Sequence, residues 1–250
     1  MPEMFGRKSL ALLAFIAAQS AFAKTDMVKL NVDCIKAVQS EDAVKAVRVC
    51  VFAVQAAQKL AIESIDYAVS LNNLGWLYHQ QGQLTKAEPL YQQALAVLEK
   101  IPGQNNASIA STLNNLALLY RQEDLPAKAE PLYLRAISIW KKELGPDNPT
   151  VAGGLNSLAS VYNDQRQYDK AEELFNQALV ILEKTLRPDH PDVVSSLNNL
   201  AKFYTQQGDY AKAESFYKQT LAILEKALES DNSYAREARN KLIELQQKLK

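Results

Sequence analysis

Reactive side chains are scarce in this chain. Its 250 residues hold two cysteines and two histidines. His79 and His190 fall at unrelated places, and no Cys/His cluster has the ligand spacing of a metal site. There is no G-x-S-x-G elbow and no phosphate-cradling glycine loop; Gly153-Gly154 is an isolated pair at a helix start. These gaps argue against an active site, a metal or a cofactor, and acidic pairs such as Glu172-Glu173 read as solvated surface. An excess of charge of one sign is also missing, because 28 basic residues face 28 acidic ones. A nucleic-acid binder shows a basic excess or stripe, so no nucleic-acid partner is expected. Glycine is sparse, at 8 residues, as expected of helices, whose interiors it weakens.

Long apolar runs are absent too. Spanning a bilayer takes about 20 apolar residues, and the best run, LALLAFIAA at 10–18, is shorter. Arg7 and Lys8 precede it, and Ala21-Phe22-Ala23 follows with a small-x-small pattern. Together these features read as a secretory signal peptide, 1–23, cut after Ala23. The other reading is an ordinary N-terminal helix packed on the rest of a cytoplasmic protein. No cysteine follows the cut, so lipid anchoring is not expected. The mature chain stays close to neutral, carries no membrane span, and is expected in the periplasm or outside the cell.

What the sequence does have is repetition. LNNLAKFYTQQGDYAKAESFYKQTLAILEK begins at Leu197, and kindred stretches begin at Leu71, Leu113 and Leu155, at a spacing of 42 residues. A period of roughly 20–50 residues marks a repeat array. In the first full copy, Leu71, Leu74 and Tyr78 share one helix face, and Gly75 lies beside Leu74. Ala117, Ala159 and Ala201 hold that small position in the other copies. Gly82 and Gly208 suit left-handed caps, and Asp124 and Arg166 stand there in the middle copies. A second helix carries Ala87, Leu90, Tyr91, Ala94, Leu95 and Leu98 as its apolar stripe. Pro89 and Pro131 are expected near its start, where no intrahelical bond is lost. Pro149 and Pro191 read as first-turn prolines capped by Asn148 and His190, which predicts a helix over 191–207.

The pattern L-x-x-L-G/A-x-x-Y followed by A-x-x-x-Y/F-x-x-A resembles the tetratricopeptide repeat. The 42-residue form, with GPDNPTV at 145–151 and RPDHPDV at 187–193, is similar to the kinesin-light-chain type. The resemblance covers about 67–242 and implies an all-α fold, a right-handed superhelical solenoid of antiparallel helix pairs. The expected divisions are the signal, 1–23, a degenerate helical hairpin, 24–66, four repeats, 67–232, and a capping helix, 233–250. That last helix keeps an apolar seam at Leu242, Leu245 and Leu249.

The degenerate hairpin aligns with the next copy at an offset of 41 residues. Cys34 then falls at the place of Gly75, and Cys50 at that of Tyr91. Two cysteines facing each other across a helix pair are a disulfide candidate in an exported protein. The other reading is two small core residues that stay reduced.

Stacked helix pairs curve, with the first helix of each pair lining the concave side. That side is expected to present Asn72, Asn73, Trp76 and His79 in the first copy, and Asn114, Asn115, Leu118 and Arg121 in the second. Asn156 continues the series in the third copy, beside Asp164. Asn198, Asn199 and Lys202 follow in the fourth. An asparagine amide offers donors and an acceptor to an extended peptide backbone. In peptide-binding members of the resembled family, the second asparagine has that role; Asn73, Asn115 and Asn199 match, and Ser157 departs. The same asparagines could instead tie one repeat to the next. Mixed charge at these places does not form the basic clamp some family members use for a carboxylate. The function expected is a non-enzymatic scaffold or adaptor holding a protein or peptide. An accessory subunit of an enzyme or secretion complex is the rival, and weak self-association through repeat faces is a further option.

Overall fold

A computed structural model describes residues 26–40, 42–60, 63–102, 106–226 and 233–248. The segment read as a signal peptide lies outside these residues. Every regular element among the described residues is an α-helix, and successive helices pack as antiparallel pairs. The chain divides into two compact units, Met1–Leu119 and Tyr120–Lys250. The first holds the hairpin of α1 (26–38) and α2 (Ala43–Lys59), then α3 (Ile65–Gln80) with α4 (Leu84–Lys100), and most of α5 (Asn106–Gln122). The second holds α6 (Pro126–Leu144), α7 (Pro149–Asp164) with α8 (Tyr168–Thr185), α9 (Pro191–Gln207) with α10 (Tyr210–Lys226), and α11 (Ser233–Lys248).

Helix ends follow local chemistry. The first amides of a helix lack intrahelical acceptors, and short polar side chains supply them. Asp42 accepts from the Lys45 amide, Ser64 from Tyr67, Asn148 from Thr150, and His190 Nδ1 from Asp192. Pro149 and Pro191 open α7 and α9. Pro89 and Pro131 depart from expectation: each lies inside its helix, beyond the first turn, where it removes one backbone hydrogen bond. The left-handed caps are Gly82 (φ 71°), Gly208 (φ 78°), Asp124 (φ 59°) and Arg166 (φ 59°).

Close helix approach rests on small residues. Gly75 is buried beneath the Tyr91 ring, and a Cβ there would lie 2.8 Å from Tyr91 Cε1. Ala159 and Ala201 are fully buried at the equivalent places, as are the alanines repeated along the second helices, Ala171, Ala178 and Ala213. One period before Gly75 and Tyr91, Cys34 and Cys50 are joined in a disulfide, with their Cα atoms 4.7 Å apart. α11 docks through Ala235, which joins Val194 of α9 and Leu224 of α10 in one buried cluster. Further along it, Leu245 is buried and Leu242 half-buried, while Leu249 lies outside the described residues.

Candidate functional site

In the first unit, the leading helices α1, α3 and α5 border an open cleft of about 410 Å³. Ile35 and Val38 come from α1, Val69, Asn72 and Asn73 from α3, and Ala107, Ser108, Ser111 and Thr112 from α5; Leu98 of α4 also lines it. On α3, Val69, Asn72 and Asn73 are half-buried beside the buried stripe of Leu71, Leu74 and Gly75, whereas Leu98 and Thr112 are buried at the cleft floor. No lining side chain is charged. The cleft therefore offers apolar patches between amides and hydroxyls, a surface that suits a neutral backbone with aliphatic side chains.

Three first asparagines, Asn72, Asn156 and Asn198, and one second asparagine, Asn115, are engaged between repeats. The Asn115 amide donates to Asn72 Oδ1 at 3.0 Å. Asn156 and Ser196 share a contact at 3.3 Å, and Asn198 donates to Glu237 at 3.2 Å. The degenerate hairpin takes part as well, with Asn31 donating to Asp66 at 3.0 Å and accepting from Ser70 at 3.1 Å. A ladder of amides and hydroxyls thus runs from each leading helix to the next within each unit. It accounts for Asn72, Asn115, Asn156 and Asn198 without any ligand.

The expected wall residues separate into groups. Asn73, Trp76, Asn114, Leu118 and Asn199 are half-exposed on leading helices. Asn72, Asn115 and Asn156 are half-exposed but partnered, as above. His79 and Asn198 are corrections to the expected wall, because both are buried, at 6% and 1% exposure. His79 stands four residues after Gly75 and so shares its inward face. There its ring lies edge-on to Tyr91, with centroids 6.4 Å apart, and Trp76 meets it from outside at 6.0 Å. Asn198 is sealed by α11. The two cations expected on the wall are engaged: Arg121 pairs with Asp164 at 2.7 Å, and Lys202 with Glu237 at 3.0 Å.

One constellation was missed at the sequence level. Lys-Ala-Glu occurs in all four copies, at 86–88, 128–130, 170–172 and 212–214. The lysine covers the tyrosine ring of its own repeat: Lys86 over Tyr78, Lys128 over Tyr120, Lys170 over Tyr162 and Lys212 over Tyr204, at 4.5–5.3 Å. The glutamate accepts from the tyrosine hydroxyl of the following repeat: Tyr162 to Glu130 at 3.1 Å, and Tyr204 to Glu172 at 2.7 Å. Burial, and then the adjoining Glu172, raises the Tyr204 phenol above its ordinary pKa. The signal was identity across copies at positions off the apolar stripe, which a reading centred on hydrophobic periodicity passes over.

Among the described residues, no group of three or more His, Cys, Asp or Glu side chains is placed to hold a metal, and no helix is long and apolar enough to cross a membrane. The fold is similar to the nearly identical TPR-like repeats of a candidate kinesin light chain from Podosopora anserina, seen in two crystal structures. One, a point-substituted form, shares 25% identity at a TM-score of 0.68, covering 81% of this chain and 96% of that one. The other shares 25% identity at a TM-score of 0.66 with the same coverage. BtubC (BKLC) from P. vanneervenii shares the fold at 19% identity and a TM-score of 0.63, covering 84% of this chain and 93% of its own. No curated protein sequence matches. A tetratricopeptide repeat model matches residues 38–100, 108–179 and 150–226. With helix pairs, small-residue contacts and period all in agreement over most of its length, the chain belongs to the tetratricopeptide repeat family.

Proposed function

We propose that this protein is a non-enzymatic scaffold that holds an extended segment of a protein partner against its leading helices. The observation that carries this is the uncharged cleft walled by α1, α3 and α5, which Asn73 lines together with Val38 and Val69. Family membership supports a protein partner, since these repeats generally serve as interaction scaffolds. The amide ladder engages Asn72, Asn115, Asn156 and Asn198, so the half-exposed Asn73, Asn114 and Asn199 are the asparagines offered to a ligand. Trp76, half-exposed one turn further along α3 and outside the cleft lining, extends the surface with an apolar side chain.

We further propose that the chain is exported and works in the periplasm or outside the cell, after cleavage following Ala23. The support is the basic start, short apolar run and small-x-small site, together with the buried disulfide between Cys34 and Cys50. Mass analysis of the protein recovered from its native cell should give Lys24 as the first residue. Recovery of an intact Met1 start would sink the export reading.

Site-specific photo-crosslinking tests the binding surface. A crosslinker at position 73 or 111 should capture one and the same partner. A crosslinker at exposed position 92, on a trailing helix, should not. Equal capture from position 92, or none from 73, rejects the cleft as the binding surface.

A further inference from the structure

We infer that the Cys34–Cys50 disulfide is what orders one wall of the cleft, so that the site is completed only when the two thiols are oxidised. This deepens the proposed function and rests on it for its biological meaning.

α1 supplies Ile35 and Val38 to the cleft, and Gln39 follows just past its end. Little apolar side chain holds that wall in place. The buried residues of α1 are Met27, Asn31, Cys34 and Ala37, and those of α2 are Ala46, Cys50, Ala53, Val54 and Ala57. The α7–α8 pair, by contrast, buries Leu155, Leu158, Tyr162, Phe175, Leu179 and Leu182. Burial scales with apolar area, and alanines remove little of it from water.

The position of the bond is the second argument. In the next hairpin the Tyr91 ring over Gly75 locks the two helices. At an offset of 41, Cys34 replaces Gly75 and Cys50 replaces Tyr91. The ring contact has been exchanged for a covalent link at the same site. Neither cysteine has any exposed surface. Asn31 still ties α1 to Asp66 and Ser70 of α3, but its two hydrogen bonds set register and bury no apolar area.

Closing the bond transfers two electrons and two protons from the thiols to a disulfide-donating oxidant, which leaves as a dithiol. Reduction by a dithiol runs the reverse exchange. With both sulfurs sealed, a reductant must wait for the hairpin to open. A chain still in a reducing compartment therefore lacks the wall, and partner engagement begins only after oxidation.

Hydrogen exchange read by mass spectrometry tests this on the mature chain without a ligand. Three samples are compared: oxidised protein, protein held reduced in dithiothreitol, and the double variant Cys34→Gly/Cys50→Tyr, which installs the lock of the next hairpin. Reduction should speed exchange across 26–59 by about 100-fold, as expected for losing a loop of this size, while 65–100 changes little. The double variant should keep protection in 26–59 and ignore the reductant. If it does not fold, the reduced wild type decides alone. Protection in 26–59 that survives reduction within about threefold overturns the inference. So does equal loss across 65–100, because the bond would then hold the whole unit rather than one wall. Failure of the cleft as a binding surface would appear in the crosslinking and leave the exchange pattern unchanged.

Discussion

Tyr91 lies so close over Gly75 that even a methyl group has no room between them, with 2.8 Å from a built Cβ to Cε1. Gly154 is in the same position against Ile137 Cγ1 at 2.8 Å and Trp140 Cζ3 at 3.0 Å, whereas its neighbour Gly153 meets nothing within 4 Å. The two adjacent glycines should therefore respond in opposite senses. Gly154→Ala overpacks a sealed contact and should lower stability by about 1–2 kcal/mol. Gly153→Ala sits on an exposed helix face and should raise it by about 0.5–1 kcal/mol. Urea melts of the two variants, compared at constant m-value, check the sign of each.

The Tyr91 hydroxyl is fully buried and has no hydrogen-bond partner among the described residues. Phe175 occupies the same place two copies later, without the hydroxyl. Tyr91→Phe should accordingly raise stability, by about 1 kcal/mol, by removing an unsatisfied polar group. A fall in melting temperature for this variant would mean that the hydroxyl has a partner.

Burial also lifts these phenols above their ordinary pKa of 10.0, Tyr133 to about 12 and Tyr91 further. A raised phenol pKa means that the unfolded chain loses its proton first as pH rises. The Tyr133 share of this stability is complete below pH 10 and drains away between pH 10 and about 12, and the Tyr91 share continues to fall beyond that. Denaturant midpoints measured from pH 8 to 11 should hold steady at first and then fall. Tyr133→Phe should flatten the fall.

Tyr204, Glu172 and Lys212 form one cluster: the hydroxyl donates to Glu172 at 2.7 Å, and the ammonium lies 4.5 Å from the ring centroid and 3.4 Å from the same carboxylate. A double-mutant cycle on Tyr204→Phe and Glu172→Gln should give a coupling of about 1 kcal/mol, as expected for a partly exposed charge-assisted bond. Zero coupling would reduce the contact to surface decoration.

Arg166 caps α7 with a φ of 59°, a conformation that costs an L-residue energy. Arg166→Gly should gain about 0.5–1 kcal/mol, the release of strain exceeding the extra unfolded-chain entropy. Thermal melts against Gly208→Ala, which should lose a comparable amount, provide the control.

Much of this architecture could be read from the residues because repetition multiplies weak signals. One Leu-x-x-Leu-Gly is ambiguous, but the same face with Ala117, Ala159 and Ala201 at one spacing is not. The caps at Asn148 and His190 were equally readable, being local chemistry. The wall was read less well. His79 looked outward when placed by stripe counting, yet the space beside Gly75 draws it in against Tyr91. Nothing in the sequence pairs Arg121 or Lys202, because their partners Asp164 and Glu237 are 43 and 35 residues away. No local pattern announces contacts that close only when neighbouring repeats stack.

The Glu130–Tyr162 and Glu172–Tyr204 bonds share a stride of 32 residues. In this respect the second unit behaves like a tape with a reading frame. Splicing in a whole extra copy would hand every glutamate a fresh tyrosine, whereas adding or removing a fraction of one would put all later pairings out of step. An array held this way can change length by duplication without redesigning any joint.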